Sequence, residues 1–135
     1  MLTKEEKAMW ITALRTGQFP DGREFEQGQG MLVQRRQGVM EYCCLGVACE
    51  LFIPETFGGN EESCWLMGYG GETESLPRFL AERMGLSIMG DYNSPALGVD
   101  VPLDGGYCSL AGMNDLDISF EEIADFLEKH LKTED

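Results

Sequence analysis

Positive charge is scarce in this sequence. Ten lysines and arginines stand against 24 aspartates and glutamates, for a net charge of −14. That argues against a DNA- or RNA-binding surface, because phosphate recognition needs clustered basic side chains. It suits a solvated acidic exterior and a basic partner. Histidine is scarcer still, with His130 the only one. A cysteine hydrolase normally draws its base from a histidine, and His130 falls near the end of a helix on its polar face. No run approaches the ~20 apolar residues of a membrane span. The opening segment from Met1 to Leu14 is charged and amphipathic, unlike a signal peptide. No C-x-x-C pair gives zinc spacing. The glycines match neither a P-loop nor a Rossmann fingerprint, and a G-x-S-x-G elbow is missing. The stretch from Asn114 to Ser119 begins like a calcium loop. Phe120 and Phe126 then stand where an EF-hand needs its glycine and its bidentate glutamate. No metal and no cofactor is expected.

What is present is an ordinary globular composition, 43 % apolar in 135 residues, which points to one domain over residues 1–135. The chain centres on Glu41 to Phe52, its only long run with almost no charge. Val39 to Cys43 has strand character. From about Leu45 a short helix begins that is apolar nearly all round and therefore belongs inside the fold, with Glu50 its only charge. Around it the sequence places a first helix, Thr3 to Thr16, with a Thr3/Glu6 capping box and a Gly17 stop. Met31 to Gln34 reads as a strand, Arg35 to Gly38 as a turn, and Val39 to Cys43 as the returning strand of a β-hairpin. Ile53 to Glu74 reads as a Gly-rich loop holding a short strand near Cys64 to Met67. A third helix opens at Ser75, with Pro77 in its first turn and a stripe of Leu76, Phe79, Leu80 and Met84 before the Gly85 stop. Ser87 to Gly106 looks irregular apart from one strand near Ala96 to Val101, and Tyr107 to Met113 like a helical turn. Ser119 and Glu122 form a second capping box, opening a last helix with a buried stripe of Phe120, Ile123, Ala124, Leu127 and Leu131. The expected fold is α+β: a small domain of four helices around a short antiparallel sheet built on one hairpin.

Two places could carry chemistry. Arg35 and Arg36 are the only adjacent basic pair. If the strand near Trp65 pairs with the hairpin, two cations and an aromatic ring, Trp65 or Tyr69, surround one cleft suited to a small anionic ligand. Asn114 and Asp115 sit in a turn whose side-chain acceptors could line a pocket. The other place is the strand-to-helix junction, where Cys43 or Cys44 would have its thiolate stabilised by the helix dipole, as in a cysteine-dependent hydrolase. Against that reading, Cys43, Cys44, Cys49, Cys64 and Cys108 make an odd set with three members in the apolar stretch, which suits buried free thiols in a reducing cytoplasm.

The order of segments adds context. Trp10 to Gly17, Cys43-Cys44-Leu45-Gly46-Val47, Leu76-Pro77, Met113-Asn114-Asp115, and Ser119-Phe120 with Ile123-Ala124 together resemble a set of small proteins encoded by bacteriophages and prophages. The resemblance implies an accessory protein of the host cytoplasm that acts by binding. Such a protein would block a host protein with a basic surface, or sequester a small anionic signalling nucleotide, to counteract host defence. It would contact neither membrane nor nucleic-acid polymer. A structural or assembly role in the virion is the other reading the resemblance allows.

Overall fold

Thr3 starts the first helix, α1 (Lys4–Thr16), in the computed structural model of the chain. The model describes residues 1–60, 63–74, 76–88, 99–103, 106–110, 114 and 118–134; at 60, 63–66, 87–88, 99–103 and 106–109 it describes the backbone. Thr3 Oγ1 accepts from the Glu6 N–H while the Glu6 carboxylate accepts from Thr3 N, which completes the expected capping box. Gly17, at φ 67°, ends the helix in the left-handed conformation that glycine adopts without strain. Trp10, Ile11, Ala13 and Leu14 are buried.

The last helix, α4 (Phe120–His130), lies antiparallel against α1. Lys7 Nζ donates to the Glu128 and Leu131 carbonyls at its C-terminal turn, and Arg15 reaches Glu121, Asp125 and Glu128 along its side. The expected stripe of Phe120, Ile123, Ala124, Leu127 and Leu131 is buried. Ser119 Oγ accepts from the Glu122 N–H, and Gln27 Oε1 reaches across to accept from the Phe120 N–H.

The central helix is α2 (Cys44–Phe52), buried from Cys44 to Cys49. Cys43 is its N-cap, its sulfur accepting from the Gly46 N–H at 3.3 Å. Trp10 Nε1 donates to the Cys44 carbonyl and ties α1 to α2. The hairpin that feeds α2 is β2 (Val33–Arg36) and β3 (Val39–Tyr42). Gln37 at φ 52° and Gly38 at φ 81° form a two-residue turn. Arg35 and Arg36, expected in the turn, are therefore the last ladder positions of β2, opposite Met40 and Val39.

The architecture is α+β, with four α-helices among the described residues, but not one sheet on one hairpin. A short β1 (Glu26–Gln27) joins β3 in parallel, giving the order β1-β3-β2. A second sheet pairs β4 (Phe57–Asn60) with β5 (Ser63–Tyr69), so the strand holding Trp65 pairs with β4 rather than with the hairpin. The third sheet orders β6 (Ser87–Ile88), β7 (Val99–Leu103) and β8 (Gly106–Ser109). Gly58, Gly59 and Gly68 hid the second sheet, since glycine leaves no alternation to read. Pro102 hid the third: it lies in β7 beyond the two residues that pair with β6, so its missing N–H leaves that ladder intact. Tyr107 to Ser109, expected as part of a helical turn, lie in β8, and Asp104-Gly105-Gly106 is in sequence a hairpin signal.

The third helix, α3 (Arg78–Met84), begins later than expected, with Pro77 as its N-cap rather than inside its first turn; Ser75 lies outside the described residues. Leu76, Leu80, Ala81 and Met84 are buried, whereas Phe79 is 52 % exposed. Leu76 precedes the helix, so counting the stripe from it put Phe79 on the wrong face. Gly85, at φ 74°, stops the helix and Leu86 is buried beyond it, as expected. The buried side chains of the four helices, β2, β3 and β5 join one hydrophobic cluster.

Candidate functional site

Glu50 is the one charge on α2, and it opens onto a cleft of about 410 Å³. A volume of that size is in the range that holds a small ligand or an inserted side chain. One wall is the loop after α1, contributing Phe19, Arg23 and Glu24. A second is β3, whose Met40 and Tyr42 share a face by strand alternation. Phe57 of β4 and Tyr69 of β5 form the far side, with Pro54 at the end of α2.

The Glu50 side chain is only 10 % exposed, and its two oxygens have different partners. Oε2 accepts from the Tyr69 hydroxyl at 2.7 Å, and Oε1 takes Arg23 Nη2 at 2.9 Å. Arg23 is half-exposed and anchored twice more. Its Nε donates to Asp21 at 2.7 Å, and its guanidinium lies 5.0 Å from the centre of the Phe19 ring. Burial opposes the charge on Arg23, but the hydrogen bonds to Asp21 and Glu50 outweigh it and raise its pKa. Phe19, Phe25 and Tyr42 pack their rings together at centroid distances of 4.6 to 5.5 Å, and Phe57 meets Tyr69 edge-on at 5.4 Å. The site is thus a carboxylate in an aromatic-lined cleft, paired with the chain's own guanidinium.

Burial, with Tyr42 and Glu50 beside it, pushes the Tyr69 hydroxyl well above the ordinary phenol range. A raised folded-state pKa gives stability that is complete below the unfolded pKa of about 10 and declines above it. The decline is about 1.4 kcal/mol per pH unit for one group. Chemical denaturation at pH 8 and pH 11 should therefore show the native chain losing more stability than Tyr69→Phe. Equal losses in the two proteins would mean that Tyr69 is hydrated.

Of the residues expected from sequence, Tyr69 alone lines this cleft. Arg35 and Arg36 are exposed at the far end of β2 and are not part of its wall. Trp65 stands in β5, its side chain outside the description, and Asp115 lies outside the described residues. Asn114 is fully buried, but it is committed to the fold. Its Oδ1 accepts from Cys44 N and Gln27 Nε2, both at 3.2 Å, and its Nδ2 donates to the Gly28 carbonyl at 2.7 Å. Cys43 and Cys44 are buried free thiols, and the Cys44 sulfur faces the Leu110 carbonyl. His130 packs its ring on Phe126 at the end of α4. This placement lends no support to a cysteine–histidine pair. The residues missed were Phe19, Arg23, Tyr42, Glu50 and Phe57. The signal that could have found them is Glu50, a lone charge on a helix otherwise buried.

A family model described as Domain of unknown function (DUF8296) matches residues 2–131. The chain belongs to this family. No curated protein and no solved structure matches it. The match runs through every wall of the cleft and through the buried junction at Cys43 to Val47. In that junction each residue has a task in the fold. Cys43 caps α2, Cys44 is bound by Asn114 and Trp10, Leu45 and Val47 fill the core, and Gly46 lets the helix approach the Leu32 backbone just before β2.

Proposed function

We propose that this protein is a non-enzymatic binding protein of the bacteriophage type. It would work in the cytoplasm of a bacterial host and counteract defence by occupying a host protein that has a basic surface. The observation that carries this reading is the Glu50 cleft on a chain of net charge −14. Asp21, Glu24 and Glu50 surround a single arginine there. An anionic nucleotide would meet net negative charge and a guanidinium already neutralised, so the cleft favours the basic protein over the small anion. Among the described residues no helix is long and apolar enough to cross a membrane.

The test is native mass spectrometry of the tagged protein recovered from bacterial cells at low and at high salt. A protein of basic isoelectric point should be retained at low salt and shed at high salt, because surface ion pairs are screened. Recovery with a bound nucleotide would replace this reading by sequestration of a signalling molecule. Recovery of the bare chain under both conditions would remove it.

A further inference from the structure

The Glu50 cleft already holds one guanidinium, and that guanidinium is the chain's own. Arg23 reaches Glu50 from an exposed loop. Its group is flanked by the Phe19 ring and bonded to a carboxylate that Tyr69 orients from the other side. Three features show that the contact is displaceable. Arg23 is 54 % exposed, so its guanidinium stands at the edge of solvent and can leave without crossing the core. Arg23 keeps a second partner, Asp21, two residues away, on which it can rest after leaving Glu50. Glu50 has no such freedom. It sits on the buried helix with Tyr69 holding Oε2, and without Arg23 its Oε1 would face an aromatic cleft still wide enough for an incoming side chain.

We infer that the cleft receives the guanidinium of an arginine on a protein partner, and that Arg23 occupies its place until that arginine arrives. The inference rests on the binding role proposed above and names the chemistry of the contact. Arginine fits better than lysine here. Its planar fork can bond a carboxylate while its face lies on Phe19, Phe57 or Tyr69, and it is the less strongly hydrated of the two. The partner's arginine would exchange one ion pair for another of the same kind. The charge on Glu50 then stays compensated throughout, as a partly buried carboxylate requires. Arg23 acts as a competitor that lowers the fraction of open cleft, and apparent affinity falls by that fraction.

The experiment titrates the purified chain and its variants with a blocked Gly-Arg-Gly tripeptide, the Gly-Lys-Gly counterpart and adenosine monophosphate, read by calorimetry. Arg23→Ala should bind the arginine peptide about tenfold more tightly than the native chain, as expected if Arg23 leaves about a tenth of the clefts open. Adding Glu50→Gln should abolish that binding, since the amide keeps the Tyr69 contact but loses the charge. The lysine peptide should bind more weakly, and the nucleotide not at all. Arg23→Gln serves as a second release variant should Arg23→Ala melt early. Equal affinity in native and release variants, binding that survives Glu50→Gln, or a preference for the nucleotide would each refute the inference. A basic protein recovered from cells while the arginine peptide fails would leave the binding role standing and remove only this account of its anchor.

Discussion

Gly46→Ala should come close to unfolding the protein. Helix propensity alone points the other way, since alanine inside a helix is favoured over glycine by about 1 kcal/mol. The packing reverses the sign. A Cβ built on Gly46 would stand 1.7 Å from the Leu32 carbonyl oxygen and 2.6 Å from its carbon. Those are backbone atoms, and they cannot swing aside as a side-chain tip can. The peptide groups of Leu32 are held on both flanks: its N–H donates to the Thr73 carbonyl at 2.8 Å, and its oxygen accepts from Cys43 N at 3.3 Å. Moving Leu32 would also disturb the N-cap of α2, because Cys43 would be drawn with it. Ordinary overpacking costs about 1–3 kcal/mol, and this contact exceeds the case in which neighbours relax, so a loss of about 4 kcal/mol or more is expected. Small domains carry roughly 5–15 kcal/mol in all. Urea unfolding of Gly46→Ala beside Ala48→Gly, a change in the same buried helix, checks the sign. Gly46→Ala should be much the worse. A variant as stable as the native chain would show that α2 does not pack on the Leu32 backbone.

Asn114→Ala is the second large effect. Two groups lose their partner in the core: the Cys44 N–H, one of the orphan donors of a helix start, and the Gly28 carbonyl. Gln27 keeps the Ile118 carbonyl. Each buried unsatisfied group costs about 1–3 kcal/mol, so a loss of about 3–5 kcal/mol is expected after partial relaxation. Asn114→Asp refines the test through pH. Ionised, the new side chain cannot donate to Gly28, and its charge is buried; protonated, it can donate. Burial would raise its folded-state pKa, so its stability should be greatest at acid pH and should fall as the pH rises through neutrality. Denaturant midpoints at pH 4 and pH 7 would reveal the trend. A variant that is least stable at pH 4, relative to the native chain, would place residue 114 in contact with water.

The two residues show what sequence can and cannot disclose. The helices were legible because N-cap side chains, glycine stops and apolar stripes are local, although Glu122 does not complete the box expected at Ser119. Thr3 with Glu6, Gly17, Gly85 and the stripe of α4 all act within a turn or two of themselves. The buried helix after Cys43 was legible for the same reason, since its lack of charge is a local property. Gly46 carries no local signal of its importance, because its reason lies 14 positions away at Leu32. Asn114 reads in sequence as a turn residue with acceptors for a pocket, because its three partners are 70 to 87 residues away. The cleft was missed in the same manner. Its cation was sought at the conspicuous Arg35-Arg36 pair, whereas the arginine that enters it is Arg23, in a loop with no pattern. Tyr69 was named only as an aromatic partner for Arg35 and Arg36, which do not line this cleft; Phe57, which pairs with it, became visible only through the β4–β5 register.

The Asn114 contacts also bear on how the chain acquires its shape. Synthesis delivers residues 39 to 52 long before residue 114. Until then the strand-to-helix junction lacks the amide that satisfies Cys44 N, and the Gly28 carbonyl lacks its partner. The distance along the chain makes this closure a late and entropically costly event. A nascent or interrupted chain would thus expose the most apolar segment of the sequence, Glu41 to Phe52, for much of its elongation. Solubility during synthesis would then depend on the surplus of carboxylates, so the acidity that shapes the mature surface would also protect the unfinished one.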